Sequence, residues 1–403
     1  MYTAVDLFAG VGGISLGLKM AGINAVVGVE FDESCIDSLK YNFPEKHVIG
    51  KDIRSVKSSD ISDLLDKEID LLAGGPPCQG FSLIGLRDPN DERSRLVFEF
   101  IRVAKDLQPK FLMIENVPGM LSAQNGSFIS EVVHLIQDAG YDVRLPIKVL
   151  NSADFGVPQN RKRVFILAAR KDLNIIPQYP TPTHSNPRES NHFSSYSLPR
   201  TPTVAEAIFD LMDIDQFESL IDAEEIPYDK PAISNYAKMM RGELSDSPYS
   251  NLPKNNWDSN ICTGCRRTVH GDVLTQRFKE TAQGDTAPVS RLYKLIANNV
   301  ANTLRAGTPR ERGSYSAPRP IHPILPRVVS VREGARLQSF PDWHRFHKTK
   351  WHGFRQVGNA VPPLLAFAVA KEIKKCLDVI NGKSVLVANR EEVYTQPEQV
   401  SLF

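Results

Sequence analysis

Short apolar segments alternate with helical patterns through roughly the first 170 residues, and this alternation constrains the fold of the chain most strongly. Five apolar segments have the length and composition of strands, at 4–8, 25–29, 70–73, 111–114 and 164–168. Helical patterns separate them, at 14–21, 33–41, 93–106 and 127–139. Repeated strand–helix–strand units predict a sheet whose strands are mostly parallel and whose two faces are both covered by helices. The sequence therefore predicts an α/β fold with a doubly wound sheet.

The pattern changes in the middle of the chain, and the change suggests a division into domains. Between residues 172 and 325, Pro, Ser, Asn and Asp become frequent and the strand–helix alternation is lost, which is typical of an irregular domain. Helical patterns return at 331–337 and 363–377. We therefore predict a first domain at 1–171, an irregular domain at 172–325, a return to the first domain at 326–380 and a tail at 381–403.

Composition narrows the class of protein. The chain has 403 residues, 41% of them hydrophobic and 24% charged, which is ordinary for a globular protein. A net charge of +1 does not indicate a nucleic-acid partner, although a local basic cleft can still bind one. The start of the chain lacks the pattern of a signal peptide, and no apolar run reaches the roughly 18 residues of a membrane span. The cysteines form an odd, sparse set that favours a reducing, cytoplasmic environment over a disulfide framework: Cys35, Cys78, Cys262, Cys265 and Cys376.

A glycine-rich turn and two acidic residues indicate a ligand site at the ends of the first strands. The segment DLFAGVGG, from Asp6 to Gly13, joins the first strand to the first helix, and glycines there let a ligand approach backbone N–H groups. Glu30 ends the second strand 20 residues after Gly10 (30 − 10 = 20), the spacing of a carboxylate that reaches ribose hydroxyls. Asp52 follows a third apolar segment, HVIGK. The turn lacks the last glycine or alanine of GxGxxG, which argues against an NAD oxidoreductase and favours S-adenosylmethionine.

A second group of residues indicates chemistry. In GGPPCQGFS, Cys78 lies between two prolines, which fix the backbone, and a Gln-Gly pair, which lets it bend. Glu115 ends the apolar strand FLMI, where burial would raise its pKa. Arg161 and Arg163 alternate toward one face of the next strand, with Lys162 on the other. Two guanidinium groups on one face suit a phosphate or a pyrimidine carbonyl.

Six motifs in this order resemble those of the DNA (cytosine-5) methyltransferases. They run from residue 6 to residue 363, and they are DLFAGVGG, GGPPCQGFS, ENV, QNRKRVF, REGARLQSFP and QVGNAVPP. The resemblance implies a Rossmann-like methyltransferase domain that uses S-adenosylmethionine. It also implies that the irregular segment 172–325 is a smaller target-recognition domain.

The resemblance implies a role for each residue of the chemical group. The thiolate of Cys78 adds to carbon 6 of cytosine, which makes carbon 5 nucleophilic enough to take a methyl group. Glu115 protonates or hydrogen-bonds N3, while Arg161 and Arg163 lie near the pyrimidine and the phosphates, with Arg163 nearest the base carbonyl. Because the ring faces are covered in a duplex, the base must be flipped out. Two further residues of the cysteine loop, Gln79 and Ser82, would contact DNA.

The resemblance also implies a set of residues around the cofactor. These are Phe8, Ala9, Gly10, Gly12, Gly13, Glu30, Asp52, Ile53, Pro76, Leu96, Asn359, Ala360 and Val361. To close this pocket, the helix that begins at Pro363 has to pack beside the first helix.

The irregular segment offers a basic cluster and a pair of cysteines. Arg266, Arg267, His270 and Arg277, with Arg305 in the later segment TLRAG, suit a DNA backbone or a guanine edge, although a solvated basic face is the alternative. Cys262 and Cys265, with His270 nearby, have the spacing of half a zinc site. Since a structural site needs four ligands and no second cysteine pair is close, we favour a turn with two free thiols and predict no metal.

We therefore expect a monomeric enzyme that methylates cytosine in a short duplex DNA sequence, as the partner of a restriction endonuclease. A tRNA cytosine methyltransferase would share the core. The variable segment of about 153 residues (325 − 172 = 153) is larger than that branch usually carries. A catalytically silent DNA-binding protein is a third reading, but Cys78, Glu115 and Arg161 are all intact.

Overall fold

The computed structural model describes residues 1–77, 96–188, 198–211, 213–254, 257–307 and 318–383. The strands are β1 (Tyr2–Leu7), β2 (Ile23–Val29), β3 (His47–Ile49), β4 (Leu71–Gly74), β5 (Phe111–Asn116), β6 (Tyr141–Val143), β7 (Lys148–Asn151), β8 (Gln159–Asn160), β9 (Lys162–Arg170), β10 (Ile226–Pro227), β11 (Ile261–Cys262) and β12 (Ala301–Asn302). The α-helices are α1 (Gly13–Met20), α2 (Glu33–Asn42), α3 (Ser58–Ser62), α4 (Leu96–Leu107), α5 (Gly119–Ser122), α6 (Ser127–Asp138), α7 (Val204–Ile208), α8 (Asn235–Met240), α9 (Asp272–Glu280), α10 (Val331–Leu337), α11 (Lys350–Asn359) and α12 (Pro363–Ile380).

Eight of the described strands form one sheet, in the order β3-β2-β1-β4-β5-β9-β6, with β7 also paired to β9. The strands from β3 to β5 are parallel, whereas β9 runs antiparallel to β5, β6 and β7. The chain moves outward from β1 to β2 and β3 and then returns to β4 on the other side of β1. This places a topological switch point between β1 and β4, where ligands of open α/β sheets bind. The predicted α/β fold is confirmed.

Helices cover both faces of the sheet, which explains why its central strands are apolar along their whole length. On one face, Ile14 and Leu18 of α1 pack with Leu365 and Val369 of α12. On the other face, residues of α4 and α6 pack against β1, β4 and β5. A Cβ atom at Gly17 of α1 would lie 2.5 Å from the Cβ of Ala366 in α12. The last helix therefore packs beside the first, as expected from the sequence.

The segment from 172 to 325 is irregular, and it shares a hydrophobic cluster with α10 and α11. That cluster includes Val204, Tyr236 and Cys262 from the irregular segment and Leu337 and Phe354 from the two helices. Buried ion pairs join the same parts. Arg336 of α10 lies 2.6 Å from Asp342 and 2.5 Å from Asp210. Such charges can be buried because each is paired. The domain boundaries set out above stay a prediction.

Helices α10 and α12 begin where the sequence pattern predicts, but α11 was not predicted. In the described part of the chain, no helix is long and apolar enough to cross a membrane.

Candidate active site

A cleft opens at the edge of the sheet where β1, β2, β4 and β5 end and β9 begins. Because β9 is antiparallel to β5, its first residues lie at the same edge as the last residues of β5. The cleft has a volume of about 1680 Å³, above the roughly 300–1,000 Å³ of typical small-molecule sites. It is large enough to hold a cofactor and a second group together.

The glycine-rich turn after β1 forms one wall of the cleft. Phe8, Ala9, Gly10 and Gly13 line it. A Cβ atom at Gly13 would collide with the carbonyl oxygen of Val361, which also lines the cleft. The turn before α1 and the segment before α12 are therefore in direct contact at this wall.

Gly12 is not among the residues that line the cleft, so its expected contact with the cofactor is not supported. Its φ is +85°, in the left-handed region that glycine adopts most readily. A side chain at this position would collide with the ring of Phe43. The structure therefore accounts for Gly12 through backbone conformation and packing.

Glu30 connects the end of β2 to the glycine-rich turn. Its carboxylate accepts hydrogen bonds from the backbone N–H groups of Gly10, Phe31 and Asp32, at 2.6, 2.8 and 2.7 Å. Burial raises the pKa of Glu30 although these N–H groups favour its ionised form. Three of the roughly four acceptor positions of a carboxylate are thus occupied. One position remains for a ligand hydroxyl in the cleft.

The next part of the wall carries Asp52, Ile53 and Phe31. The side chain of Arg54 donates to Asp52, with a shortest distance of 2.6 Å, and it lowers the pKa of that carboxyl. Asp52 is therefore engaged by a neighbour before any ligand binds. The side chain of Phe31 is 71% exposed although it lines the cleft. Phe31 was not among the predicted site residues, and its position as an aromatic residue directly after Glu30 was the available signal.

Residues 75–77 lead from β4 toward the cysteine loop and are bound to β5. The side-chain amide of Asn116 donates to the carbonyl oxygen of Pro76 at 3.2 Å. A Cβ atom at Gly75 would lie 2.9 Å from Oε2 of Glu115. Pro76 and Leu96 line the cleft. Residues 75–77 thus leave the sheet next to Glu115. The next predicted site residues, Cys78, Gln79 and Ser82, lie outside the described residues.

Glu115 and Arg163 form an ion pair on the other wall of the cleft. Nε of Arg163 lies 2.9 Å from Oε1 of Glu115, and Glu115 is only 8% exposed. Burial raises the pKa of Glu115, and the guanidinium groups of Arg163 and Arg161 oppose that rise. A carboxyl with a raised pKa, held in a fixed orientation, is suited to donate a proton or a hydrogen bond.

Arg161 is buried beside this pair, with 1% of its surface exposed. Its two terminal nitrogens donate to the carbonyl oxygens of Leu304 and Gly358, at 3.1 and 3.0 Å. The Nε atom has no hydrogen-bond partner among the residues that the structure describes, and Arg161 lines the cleft. The expectation of a phosphate contact is not supported, because the side chain is inaccessible to a DNA backbone. Nε is left to donate a hydrogen bond to a ligand inside the cleft.

The final motif completes the cleft. Asn359, Ala360 and Val361 line it, and Gly358 accepts the hydrogen bond from Arg161. Since Arg161 also binds Leu304, the segment that carries Arg305 lies beside this motif. Twelve of the thirteen expected cofactor residues therefore line one cleft, which they share with Glu115, Arg161 and Arg163.

Comparison with known proteins identifies the family of the chain. Residues 2–375 match the family model of the C-5 cytosine-specific DNA methylases. The chain belongs to this family. It is a DNA (cytosine-5) methyltransferase, and the resemblance seen in its motifs is confirmed.

Several individual proteins are similar to this methylase. The type II methyltransferase M.XorII of Xanthomonas oryzae is 44% identical over 93% of this chain and 84% of its own length. M.DdeI of Desulfomicrobium norvegicum is 32% identical over 94% of this chain and 89% of its own. A prophage-encoded DNA modification methyltransferase of E. coli has a crystal structure with a TM-score of 0.74 and 31% identity, covering 94% of this chain and 100% of that one.

Residues 172–325 are called the recognition segment below, after their expected role. The basic cluster predicted in this segment does not form one surface of free side chains. Nε of Arg266 donates to Ile221 at 2.9 Å, and Arg267 donates to Asp215 at 3.0 Å, each to a backbone carbonyl. His270 accepts a long hydrogen bond from the backbone of Val328. Neither these three residues nor Arg277 line the cleft. Their contact with DNA stays a prediction.

The two cysteines of the recognition segment of the methylase are buried neighbours. Sγ of Cys265 lies 3.2 Å from Sγ of Cys262, and both cysteines are free. Among the residues that the structure describes, no three His, Cys, Asp or Glu side chains are grouped so that they could hold a metal ion. The pair contributes to the hydrophobic cluster beneath the recognition segment.

Proposed function

We propose that this methylase transfers a methyl group from S-adenosylmethionine to carbon 5 of a flipped-out cytosine in a short duplex DNA sequence, through a transient bond to Cys78. We further propose that the modification protects DNA from a partner restriction endonuclease, as the names of the type II relatives suggest. One observation carries the chemical part of this proposal. The Glu115–Arg163 pair and the glycine-rich turn with Glu30 line the same cleft.

The residues of the cleft fit S-adenosylmethionine, whose sulfonium supplies an electrophilic methyl group. Glu30 keeps one acceptor position for a ribose hydroxyl, because its other interactions are with the backbone N–H groups of Gly10, Phe31 and Asp32. The exposed ring of Phe31 offers a flat surface for an adenine. The contact between Gly13 and Val361 holds the two chain segments that would surround the methionine part.

The remaining residues would activate the cytosine. The thiolate of Cys78 would form a bond to carbon 6, while Glu115 donates a proton or hydrogen bond to N3, and the electrons displaced from the ring make carbon 5 nucleophilic. Carbon 5 would then form a bond to the methyl group as the bond between that methyl group and the sulfonium sulfur breaks, which leaves S-adenosylhomocysteine. A base removes the proton from carbon 5, the bond between sulfur and carbon 6 breaks, and the double bond returns. Arg163 would orient Glu115 and lie nearest the pyrimidine carbonyl, and Nε of Arg161 would donate a hydrogen bond to the same base.

The burial of Glu115 supports base flipping. A base that reaches a carboxyl which is only 8% exposed must leave the helical stack, at a cost of a few kcal/mol that protein contacts have to offset. The carbonyl hydrogen bonds of Arg161 fix the floor of the cleft before the base enters.

Trapping the covalent intermediate tests this proposal. In a duplex that carries 5-fluorocytosine, carbon 5 has no proton for a base to remove, so the bond to sulfur would persist after methyl transfer. We expect the wild-type protein with S-adenosylmethionine to form a complex that survives denaturing electrophoresis. Cys78→Ala should form none while it still binds the duplex. A stable complex with Cys78→Ala would refute the assignment of the nucleophile.

A further inference from the structure

The recognition segment contains few arginines that are free to contact a partner. Arg188, Arg200, Arg241 and Arg319 are each hydrogen-bonded to other side chains or to the backbone, and Arg266 and Arg267 bind carbonyl groups. Between residues 172 and 307, the side chains of three arginines make no hydrogen bond or ion pair with the residues that the structure describes. These are Arg277, Arg291 and Arg305. Arg277 and Arg305 were already expected to contact DNA, so Arg291 is the new candidate.

Arg291 lies at the tip of a narrow hairpin. Gly284 and Lys294 bond through their backbones at 2.9 Å, and Ala287 donates to Leu292 at 2.8 Å. Thr286 and Tyr293 form an antiparallel bridge between the two arms. Residues 288–291 form the tip, which we call the recognition tip.

The base of the hairpin is fixed in the protein. Ala287 packs in a small hydrophobic cluster with Phe278, Ile321 and Val328. Nζ of Lys294 donates to the carbonyl oxygen of Phe278 at 2.9 Å. The recognition tip is therefore presented from a rigid support.

Two residues of the recognition tip have an unfavourable backbone conformation, and one of them is also highly exposed. Val289 has φ +66° and Arg291 has φ +55°, a left-handed conformation that is rare for a β-branched residue. The side chain of Val289 is also 83% exposed, so no packing in the free protein accounts for its conformation. Strained residues of this kind occur disproportionately where a protein contacts a ligand.

We infer that the recognition tip reads the bases of the target sequence, with Arg291 contacting the edge of a guanine and Val289 packing against an apolar base edge. A two-stranded ribbon fits the major groove of DNA, where arginine pairs with O6 and N7 of guanine and apolar side chains contact the thymine methyl group. This inference rests on the proposed function, because it assumes a duplex DNA substrate.

The chain that follows the hairpin is hydrogen-bonded to other parts of the protein and leads to the wall of the cleft that carries Arg161. After the hairpin, the backbone of Leu295 donates to Ile321 at 3.0 Å. The chain then enters β12, where Ala301 pairs with Gln159, two residues before Arg161. This stretch of chain would therefore fix the position of a duplex bound at the recognition tip relative to the cleft.

The test compares sequence selection among variants. Each protein methylates a pool of duplexes randomised around a cytosine, and sequencing after conversion of unmethylated cytosine gives the preferred sequence. The variants are Arg291→Ala and Arg291→Gln, with Lys279→Ala as the matched control, because Lys279 is an exposed cation of α9, near the same support, and is not among the residues expected to contact DNA.

We expect Arg291→Ala and Arg291→Gln to lose preference for guanine at one position, by roughly 5- to 150-fold. Lys279→Ala should keep the wild-type sequence preference. An unchanged preference in both Arg291 variants would overturn the inference. If the wild-type protein methylates no duplex in the pool, the proposed function itself fails, and the two failures are thus distinguishable.

A second variant separates recognition from folding. Glycine adopts positive φ readily, so Val289→Gly should melt at the same temperature as the wild type or higher. If Val289 contacts a base, this variant should nevertheless show a weaker preference at a neighbouring position. A lower melting temperature together with an unchanged preference would assign Val289 a structural role and contradict its part in recognition.

Discussion

Glu115 shows how the site is built from single residues. Burial alone would raise the pKa of Glu115 and favour the neutral carboxyl, whereas Arg163 alone would lower that pKa and favour the ionised form. The two effects oppose each other on the pKa of the same carboxyl. The pair is therefore sensitive to any change in charge at Arg163.

Replacing Glu115 with Gln tests its role in the chemical step. The amide cannot supply a proton to N3, so we expect methyl transfer in a single turnover to slow by about 10²- to 10⁴-fold. Cofactor affinity should change little, because Glu30 and the glycine-rich turn lie on the other wall. A loss confined to cofactor affinity would contradict this role and place Glu115 in the cofactor pocket instead.

Replacing Arg163 with Met tests the ion pair through pH. Without the guanidinium, the pKa of Glu115 should rise, because Arg163 is the largest influence that lowers it. If the protonated carboxyl is the active form, the rate falls as pH rises through that pKa, and this fall should move to higher pH. Arg163→Lys keeps a positive charge and should show a smaller displacement. An identical pH–rate profile in wild type and Arg163→Met would contradict the assignment.

The family motifs mark the expected site residues directly, and twelve of the thirteen expected cofactor residues line one cleft. The sequence could not show that Arg161 is buried with two carbonyl partners, since those partners come from Leu304 and Gly358, far along the chain. It also could not show that Gly12 packs beside Phe43. Long-range packing decided both cases.

At the scale of elements, the close contact between α1 and α12 supports the wall of the cleft that the turn before α1 and the segment before α12 form. The contact depends on Gly17, because any side chain there meets Ala366 and the backbone of Phe367. A close helix approach of this kind holds the turn before α1 against the segment before α12.

Gly17→Ala is expected to force α1 and α12 apart. Overpacking of this kind costs about 1–3 kcal/mol of unfolding free energy, which chemical denaturation can measure. Gly271→Ala is the matched control, since a Cβ atom there meets nothing within 4 Å. Equal stability of Gly17→Ala and the wild type would mean that the helices are not packed as described.

Periodicity predicted the longer elements of the doubly wound half, because each is a complete amphipathic or apolar segment, but it did not predict the short elements α3, α5, β6 and β7. It missed α11, which contains two glycines that lower helix propensity and is held in place by the buried side chains of Phe354 and Val357. Tertiary packing, which no local pattern records, also shapes the irregular segment.

At the scale of the whole molecule, two buried neutral histidines couple stability to pH. Burial lowers the pKa of His344 to about 3 and that of His322 to about 4. In the unfolded chain both would titrate near 6.5. Unfolding therefore takes up protons below about pH 6.5, and the free energy of unfolding must fall as pH falls from there to about 4.

The contribution of one site can be isolated by His344→Gln. Each such group changes the unfolding free energy by up to about 1.4 kcal/mol per pH unit within its window, so this variant should show a shallower fall between pH 6.5 and 4. His134→Gln, at an exposed histidine of α6, should keep the wild-type slope. Parallel curves for wild type and His344→Gln would show that His344 does not titrate as proposed.

The central claim is that the molecule methylates carbon 5 of cytosine in duplex DNA, and one assay tests it most directly. The protein is incubated with S-adenosylmethionine labelled in its methyl group and with a mixture of unmodified duplex DNA and tRNA, and the products are digested to nucleosides. We expect the label in 5-methylcytosine from the DNA alone. Label in tRNA, label on another base, or no label in either nucleic acid would contradict the account.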